Sequence, residues 1–393
     1  MTQLIYFTDP YIPECTSTVL DIVEQNNAYA TVLDKTCFFP EGGGQQSDVG
    51  TVGDTHIFDA QITDGTVYHY SKKKPEYNIG DTVLCGIDFG RRFARMQSHS
   101  GEHIVSGIVC SKYGFDNVGF HMDDTLMTVD FSGYLTKDQL HEIELEANRA
   151  VWQNRKITAY FPTDEELAGL KYRSKLDNLK NTRIVEIDGI DRCACCAPHV
   201  ANTGEIGIIK ILSSMSHRGG VRITLVCGST AQNMLSAVYD DMLKTAALLK
   251  SPHDGIPQAT SDLLDRINLL KREIALQTQN RIDDIVSSAN PTDGNICVFA
   301  NGFSSYDLRR ISVSLREKCG CLSCALGGDD KNGYTYVITS NSVRLKSLSK
   351  EINTALNGRG GGSDDILQGR FSASKQQITE YFENGANIQN ENA

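Results

Sequence analysis

The segment "RRFARMQSHSGEHIVSGIVCSKYG" (91–114) divides the sequence into two parts of different character. Its apolar residues recur at the spacing of one helical face: Ile104, Val105, Ile108 and Val109. Gly114 is a residue type that commonly ends helices. The same helix carries "HSGEH", which puts His99 and His103 at positions i and i+4, where both imidazoles can reach one ion. We therefore predict a helix that also presents two metal ligands.

Before this helix the sequence is typical of β-structure. Short runs rich in β-branched and aromatic residues alternate with Gly and Asp turns: "YATVLDKTCFF" (29–39), "GTVGDTHIFDAQI" (50–62) and "GTVYHY" (65–70). We expect an N-terminal β-rich, barrel-like domain over residues 1–90.

After the helix, strand and helix patterns alternate. A strand is predicted in "TLMTVDFSG" (125–133), a long helix in "TKDQLHEIELEANRAVWQNR" (136–155), and paired strands in "EIGIIKILSS" (205–214) and "GGVRITLVCG" (219–228). These elements indicate an α+β core over 91–235 that contains the metal ligands.

The last part of the chain begins with a long helical pattern. In "SDLLDRINLLKREIALQTQNRIDDIVSS" (261–288) the residues on or near one face are Leu263, Ile267, Leu270, Ile274 and Ile282. This pattern indicates a helical spacer or a short coiled-coil arm over 236–290. Alternating strands and helices then predict a C-terminal α/β domain over 291–393, so the fold class of the whole chain is α+β.

Composition limits the cellular setting. The N-terminus lacks the basic and apolar regions of a signal peptide, and no apolar run approaches the ~18 residues of a membrane span. The 12 cysteines, without a secretory signal, indicate reduced thiols in a cytoplasmic protein. A net charge of −11 excludes a surface that is basic throughout, but nucleic-acid binding needs only a local basic patch.

The segment "DRCACCAPHV" (191–200) supplies a second pair of soft ligands. Cys195 and His199 are separated by three residues and would complete a set with His99 and His103. Three imidazoles and one thiolate suit Zn²⁺, so we predict one zinc ion per chain. Either Cys193 and Cys196 are small buried residues, or one of them replaces Cys195.

Glu102 offers a rival interpretation of the helix motif. "HSGEH" also fits H-x-x-E-H, a metalloprotease signature in which Glu102 would be the general base. Because the Cys195–His199 pair already completes a ligand set, we favour the shared zinc site.

A third motif is "FFPEGGGQQSDVG" (38–50). Gly42, Gly43 and Gly44 allow backbone conformations closed to other residues and a close approach of a ligand to the main chain. Gln45 follows with a side chain that both donates and accepts hydrogen bonds. A flexible hairpin loop is the alternative, and the missing Lys-Ser/Thr excludes a P-loop.

Taken together, these motifs resemble the editing domain of alanyl-tRNA synthetases and its free-standing relatives, the AlaX proteins. The order and spacing agree across residues 30–230, and "LNGRGGGSDDILQGRF" (356–371) resembles the end of the DHH-associated domain of the synthetases. The resemblance thus suggests the long AlaX form. Because the motifs begin at residue 38, we expect no aminoacylation domain and an enzyme that edits in trans.

The resemblance implies hydrolysis of the ester that joins serine, and also glycine, to the 3′ end of alanine tRNA. Under it the catalytic residues are Gln45, His99, His103 and Cys195. The substrate pocket comprises Thr36, Gly42, Gly43, Gly44 and Gln45. The tRNA contacts in the last domain are Arg359, Gly360 and Gly361, and a homodimer would form through the helical spacer or this domain.

One departure from the family motif leaves alternatives open. The usual Cys-Gly-Gly-Thr-His is Cys195-Cys196-Ala197-Pro198-His199 here, so any role of the threonine hydroxyl is absent.

Four protein ligands would close a tetrahedron, which is typical of a structural ion. For a catalytic ion, either a water or the substrate's amino group joins as a fifth ligand, or one of the four residues swings away. The alternatives to editing are a tRNA-binding module with structural zinc, or a metallohydrolase of another aminoacyl ester.

Two further groups of residues are less informative. The cysteines of "CGCLSC" (319–324) lack a partner cluster, which favours buried thiols over a second metal site. Other basic residues fit a tRNA partner only loosely. They lie before the paired histidines (Arg91, Arg92, Arg95), before the cysteines (Lys171, Arg173, Lys175, Lys180, Arg183) and in the last domain (Arg309, Arg310, Arg316, Lys318).

Overall fold

The computed structural model describes residues 1–25, 27–174 and 182–384. Its internal contacts divide it into two compact units, Met1–Thr245 and Ala246–Ala393. Within the described residues, eight α-helices and five sheets form a mixed α+β protein, as predicted. No helix in that part of the chain is both long and apolar enough to span a bilayer.

The first unit begins with β-structure. Its strands before the first helix are β1 (Gln3–Leu4), β2 (Glu14–Gln25), β3 (Ala28–Leu33), β4 (Lys35–Thr36), β5 (Gly50–Val52), β6 (Thr55–Ile57), β7 (Asp59–Thr63), β8 (Thr66–Ser71) and β9 (Thr82–Ile87). β1 and β4 form a short parallel pair, and the other seven form one sheet in the order β6-β5-β9-β2-β3-β8-β7.

The seven-stranded sheet corrects one expectation. Its edge strands, β6 and β7, are separated in sequence only by Phe58, yet no ladder of hydrogen bonds joins them in the described residues. The sheet is therefore open, and the closed barrel suggested by the sequence does not form.

The metal-ligand segments lie in the second half of this unit. Its elements are α1 (Phe89–Tyr113), β10 (Asn117–Met122), β11 (Met127–Phe131), α2 (Lys137–Trp152), β12 (Ile157–Tyr160), α3 (Asp164–Gly169), β13 (Ile184–Ile187), β14 (Asp191–Ala194), β15 (Ile209–His217), β16 (Gly220–Cys227) and α4 (Gly228–Leu249). One sheet has the order β10-β11-β16-β15, a second the order β12-β13-β14. The predicted pairing of β15 with β16 is observed and is antiparallel.

Helix α1 is buried along most of its length. The Asp88 side chain caps its first turn by accepting a hydrogen bond from the Arg91 amide, and Gly114 ends it with a φ of 69°. Almost every residue from 95 to 109 is buried in a core formed with both sheets and α2. Gly101 lets this helix approach β16, because a Cβ at Gly101 would lie 2.4 Å from the Cys227 sulfur.

The second unit contains a layered α/β arrangement. Its elements are α5 (Ile256–Ser288), β17 (Ile296–Phe299), α6 (Ser305–Leu315), β18 (Leu322–Asp329), β19 (Gly333–Ser340), α7 (Leu345–Ala355), β20 (Gly358–Gly362), β21 (Ile366–Phe371) and α8 (Lys375–Asn384). The sheet order is β17-β18-β19-β21-β20. One hydrophobic core joins the sheet to α7 and α8, and another joins it to α6 and the end of α5.

Candidate metal centre

The structure brings His99, His103, Cys195 and His199 together. The histidines of α1 lie one turn apart, and the Cys195–His199 segment follows directly after β14. One ligand atom from each of the four residues lies within 4.8 Å of all the others. The Cys195 sulfur is 3.5 Å from His99 Nε2 and 3.4 Å from His199 Nε2. The three histidines are buried and Cys195 is partly buried.

Each imidazole of the cluster is held by its other nitrogen. His99 Nδ1 lies 2.9 Å from Gln45 Oε1, His103 Nδ1 lies 3.0 Å from Asp191 Oδ2, and His199 Nδ1 lies 3.0 Å from Ser100 Oγ. These contacts fix the ring orientations and leave Nε2 of each histidine for a metal. Such outer contacts are typical of metal-binding histidines.

The electrostatic surroundings favour ligand forms of Cys195 and His199. Burial opposes the thiolate, but His99 and His199 outweigh it and bring the pKa of Cys195 well below its ordinary value. Burial lowers the pKa of His199 to about 3, which keeps its imidazole neutral. A thiolate and a neutral imidazole are the forms that bind metal ions.

Asp191 links the cluster to a partly buried cation, Arg173. Burial would raise the pKa of Asp191, but hydrogen bonds from Arg173 and His103 hold it at about 2. Arg173 donates to both carboxylate oxygens, at 2.7 and 2.6 Å. Burial disfavours the charged form of His103, yet Asp191 and Cys195 raise its pKa well above the ordinary value. A metal at His103 therefore competes with a proton.

The four residues fit a zinc ion. Bonds of about 2.0 Å to nitrogen and 2.3 Å to sulfur in a tetrahedron place the two donor atoms about 3.5 Å apart. The observed sulfur–nitrogen separations are 3.5 and 3.4 Å. A second group of potential ligands joins His103 to Asp191 and Cys193, but Arg173 already occupies Asp191.

The predicted glycine loop is a tight hairpin beside this cluster. Gly42 and Gln45 exchange two backbone hydrogen bonds of 3.0 Å, and Gly43 and Gly44 between them have φ values of 61° and 83°. A Cβ at Gly44 would lie 2.7 Å from the ring of Phe120, which packs 4.9 Å from the His99 ring. Through Phe120, the hairpin therefore packs beside one of the four candidate ligands.

Gln45 connects the hairpin to the cluster and retains a free donor. Its side chain is fully buried, and its oxygen contacts His99. Its amide nitrogen has no hydrogen-bond partner among the described residues. A buried donor without a partner costs free energy, which an acceptor on a bound ligand would offset.

The other candidate residues lie apart from the cluster or beside it. Thr36 is fully buried, and its hydroxyl contacts His69 Nε2 at 2.8 Å and accepts from the Phe38 amide, with no described contact to the four ligands. Cys196 is exposed, with its sulfur against the hairpin glycines. In the second unit, Arg359, Gly360 and Gly361 are exposed on edge strand β20.

Sequence reasoning missed the residues that hold the ligands. Ser100 lies inside "HSGEH" and Asp191 precedes the cysteines, so both residues belong to the quoted motifs although neither was assigned a role. Their contacts depend on the rotation of each imidazole and on how β14 lies against α1. Proximity to the motifs was the one available signal.

Many of the basic residues noted in the sequence are engaged within their own unit. In the first unit Arg91 and Arg95 pair with Asp124, Arg92 with Asp48 and Arg173 with Asp191, while Arg183 donates to the carbonyls of Cys195 and Ala197. In the second unit Arg310 pairs with Asp307, and Lys318 donates to three carbonyl oxygens. Lys175 and Lys180 lie outside the described residues.

Comparisons with known proteins match nearly the whole chain to tRNA-related proteins. Residues 182–224 match the family described as "Threonyl and Alanyl tRNA synthetase second additional domain", and residues 13–91 match "tRNA synthetases class II (A)". The chain is 27% identical to the alanyl-tRNA editing protein AlaX-L of Pyrococcus horikoshii, over 96% of both chains.

Alanine–tRNA ligases are similar over part of their length. The ligase of Methanococcus maripaludis is 27% identical over 96% of this chain but 43% of the ligase, and that of Thermococcus kodakarensis is 28% identical over 94% and 42%. The chain thus spans less than half of these ligases. The C-Ala domain of the Aquifex aeolicus alanyl-tRNA synthetase matches 24% of this chain and 94% of its own at 20% identity, but a TM-score of 0.21 does not establish a shared fold.

Proposed function

We propose that this chain, which resembles AlaX-type editing proteins over nearly its whole length, hydrolyses mischarged alanine tRNA in trans. The proposed substrates are the serine ester and, with it, the glycine ester of that tRNA. The proposed enzyme is a zinc-dependent aminoacyl-tRNA deacylase of the cytoplasm. The observation that carries the proposal is the contact between Gln45 of the hairpin and His99 of the ligand cluster.

Discrimination among small amino acids explains the need for such an enzyme. A pocket shaped for alanine rejects serine and glycine only ~10–200-fold, because they differ by one hydroxyl or one methyl group. A second site that hydrogen-bonds the serine hydroxyl accepts serine and spares alanine, since alanine would leave a buried polar group unpaired. The unpartnered amide of Gln45 is such a group.

The remaining roles in this proposal belong to the four clustered residues and the hairpin. His99, His103, Cys195 and His199 would hold the zinc ion. A zinc ion held there would supply Lewis-acid polarisation of an ester carbonyl if the carbonyl oxygen joins the four ligands or replaces one of them. Gln45 orients the serine side chain or the attacking water through its free amide donor. Gly43 would let the substrate approach the main chain, because no side chain projects from the turn there, whereas Gly44 packs against Phe120.

We also propose the domain division of 1–90, 91–235, 236–290 and 291–393, with tRNA contacts from Arg359, Gly360 and Gly361. Exposed apolar side chains on α5 support a homodimer through the spacer: Leu263, Leu264, Ile267, Leu270 and Ile274. Thr36 remains a candidate for the pocket wall.

Deacylation of defined esters tests the proposal. Purified protein is incubated with serine, glycine and alanine esters of alanine tRNA, before and after treatment with a chelator. We expect the serine ester to be hydrolysed fastest and the alanine ester to be spared. Chelation should stop the reaction and zinc should restore it. Equal hydrolysis of all three esters, or activity that survives complete metal removal, would contradict the proposal.

Gln45→Ala sharpens this test. The variant should deacylate the serine ester more slowly while tRNA affinity changes little. Normal hydrolysis with weak tRNA binding would instead make the hairpin a nucleic-acid contact.

A further inference from the structure

Three thiols lie together in the N-terminal sheet, and the proposed function uses none of them. Cys15 lies on β2, Cys85 on the neighbouring strand β9, and Cys37 directly after β4. All three belong to one hydrophobic cluster, in which Cys37 and Cys85 are fully buried and Cys15 is partly exposed. The groups of potential metal ligands among the described residues do not include them.

The strand register places Cys15 opposite Cys85. The two residues are direct partners in the antiparallel ladder of β2 and β9. The Ile87 amide donates a hydrogen bond to the Pro13 carbonyl, and hydrogen-bonded pairs recur at every second position of such a ladder. Cys15 and Cys85 therefore form a hydrogen-bonded pair, whose Cα atoms lie about 5.5 Å apart. Disulfides most often join Cα atoms that are about 5.5–6 Å apart.

Cys37 brings a third thiol to this pair. Its sulfur lies 3.7 Å from the carbonyl oxygen of Cys85 and 3.9 Å from that of Pro13. The Cys15 sulfur lies 3.5 Å from Ser17 Oγ and forms hydrogen bonds with both other thiols. Several weak donors thus surround the one sulfur of the three that is partly exposed.

These contacts give the three thiols different reactivity. Hydrogen bonds with Cys37 and Cys85 lower the pKa of Cys15 well below its ordinary value. The same contacts with Cys15, and then burial, raise the pKa of Cys37 and of Cys85. The thiolate is the reactive form of cysteine, and exposure increases its susceptibility to oxidation. Cys15 is therefore the thiol that an oxidant reaches and oxidises first.

We propose that Cys15 is a modification site for hydrogen peroxide and that the stable product is a disulfide with Cys85. The Cys15 thiolate attacks one oxygen of the peroxide, the O–O bond breaks, and a sulfenic acid and hydroxide form. The Cys85 thiol then attacks the sulfenic sulfur, the S–O bond breaks, and the thiol proton leaves with the hydroxyl group as water. Two electrons pass from the two sulfurs to the peroxide.

The position of Cys85 favours it over Cys37 as the second sulfur, because it lies directly opposite Cys15 across the ladder. The neutral sulfenic acid also lacks the negative charge that keeps the Cys85 thiol protonated. The resulting cross-link joins two central strands of the seven-stranded sheet, and a reductant reverses it.

Peptide mapping of the oxidised protein tests the proposal. The full chain is incubated with zinc, treated with hydrogen peroxide, alkylated at its remaining thiols and digested with trypsin without reductant. Lys35 and the lysines at 72–74 place the three cysteines in different tryptic peptides, each without a second cysteine. We expect mass spectrometry to find the Cys15 peptide joined to the Cys85 peptide as the main cross-linked species, and dithiothreitol to separate them.

Two variants sharpen the test. Cys85→Ser should lose this cross-linked species, with the circular dichroism of the unoxidised protein unchanged. Cys110→Ser removes another partly exposed thiol, at the end of α1, and is the matched control that should keep the full yield of the cross-link.

A pair of cysteines in the second unit provides an internal reference. Cys297 and Cys324 are direct partners in the parallel ladder of β17 and β18. Cross-linking of this pair while Cys15 stays reduced would overturn the proposal. A main product that joins Cys15 to Cys37, or oxidation of Cys15 without any disulfide, would also overturn it. None of these results depends on hydrolysis of tRNA esters, so this proposal and the proposed function fail separately.

Discussion

Two segments of this chain each place three cysteines close together, but among the described residues only the first contributes to a group of potential metal ligands. In the first unit, Cys195 converges with three imidazoles within 4.8 Å. In the second unit, the cysteines of 319–324 are distributed between hydrophobic cores. Cys324 is fully buried opposite Cys297 of the neighbouring strand, Cys321 packs against the same core, and Cys319 packs against another.

The difference lies in what surrounds the thiols. Around Cys195, a different element supplies His99 and His103, and polar groups fix the Nδ1 atom of each imidazole. Around Cys324, the neighbours are apolar, and no group of three or more potential ligands forms there in the described residues. A run of cysteines therefore predicts a metal site only when other elements bring oriented donors to it.

Removal of one imidazole ligand should give the largest difference between the two segments, measured as zinc affinity. In His103→Ala, we expect zinc affinity to fall by more than the ~10–100-fold that loss of an outer contact costs, since a bond to the metal itself is lost. Elemental analysis after dialysis against a weak chelator measures the change. Cys324→Ala is the matched control from the second segment and should keep its full zinc content.

Two results would contradict the assignment of Cys195 and His199 as ligands. Full metal content in a Cys195→Ala, His199→Ala double variant would make the ligand set wrong. Metal that persists only while Cys196 is present would mean that the register shifts by one residue.

The sequence predicted which four residues converge better than it predicted the contacts that hold them. His99 and His103 follow from helical periodicity, which is local, and Cys195 and His199 from their spacing. Ser100 and Asp191 could not be assigned, because their contacts depend on ring rotation and on strand placement. Closure of the N-terminal sheet was also not predictable, since the sequence does not fix whether strands separated by Phe58 pair with each other.

A histidine outside the cluster should affect the pH dependence of the unfolding free energy. His69 is buried with both nitrogens engaged, one by Thr31 and one by Thr36, and burial lowers its pKa to about 4. Between the unfolded pKa of about 6.5 and this value, the unfolded chain binds a proton that the folded chain does not. Stability should therefore fall by up to about 3 kcal/mol as the pH drops through that interval.

Urea unfolding of wild-type protein and His69→Gln, followed by circular dichroism, measures this loss. The variant should show a shallower decline from pH 6.5 to 4. Parallel declines in the two proteins would show that His69 is charged in the folded state.

Substitution of two buried serines should distinguish a residue that supports metal binding from one that only stabilises the fold. Ser100→Ala removes the contact to His199 and should weaken zinc binding about 10-fold with the fold intact. Ser312 is equally buried but contacts Ser323 and Thr339 in the second unit. Ser312→Ala should leave zinc affinity unchanged and reduce the unfolding free energy by about 1–3 kcal/mol, because buried hydroxyls lose a partner. Competition with a zinc-sensitive dye measures the affinities, and equal effects of the two changes would contradict the comparison.

The smallest change in unfolding free energy is expected for a substitution at Gly361. A Cβ there would meet nothing within 4 Å, and its φ lies outside the left-handed region. Gly361→Ala should therefore change the unfolding free energy by less than about 0.5 kcal/mol. If it lowers affinity for alanine tRNA at this constant stability, the tRNA role of β20 gains support. Unchanged tRNA binding would leave β20 an ordinary edge strand.

The long sequence separation within the cluster affects how it forms and how it can vary. His99 and Cys195 are 96 residues apart, and Ser100 and His199 are 99 apart. The entropic cost of closing such a loop grows only logarithmically, by about 0.6 kcal/mol for each doubling of length. The intervening chain can thus gain residues at little thermodynamic cost, whereas one residue inserted between Cys195 and His199 would displace a donor. Because contacts of high sequence separation form slowly, we expect the cluster to assemble late in folding, after the local turns of α1.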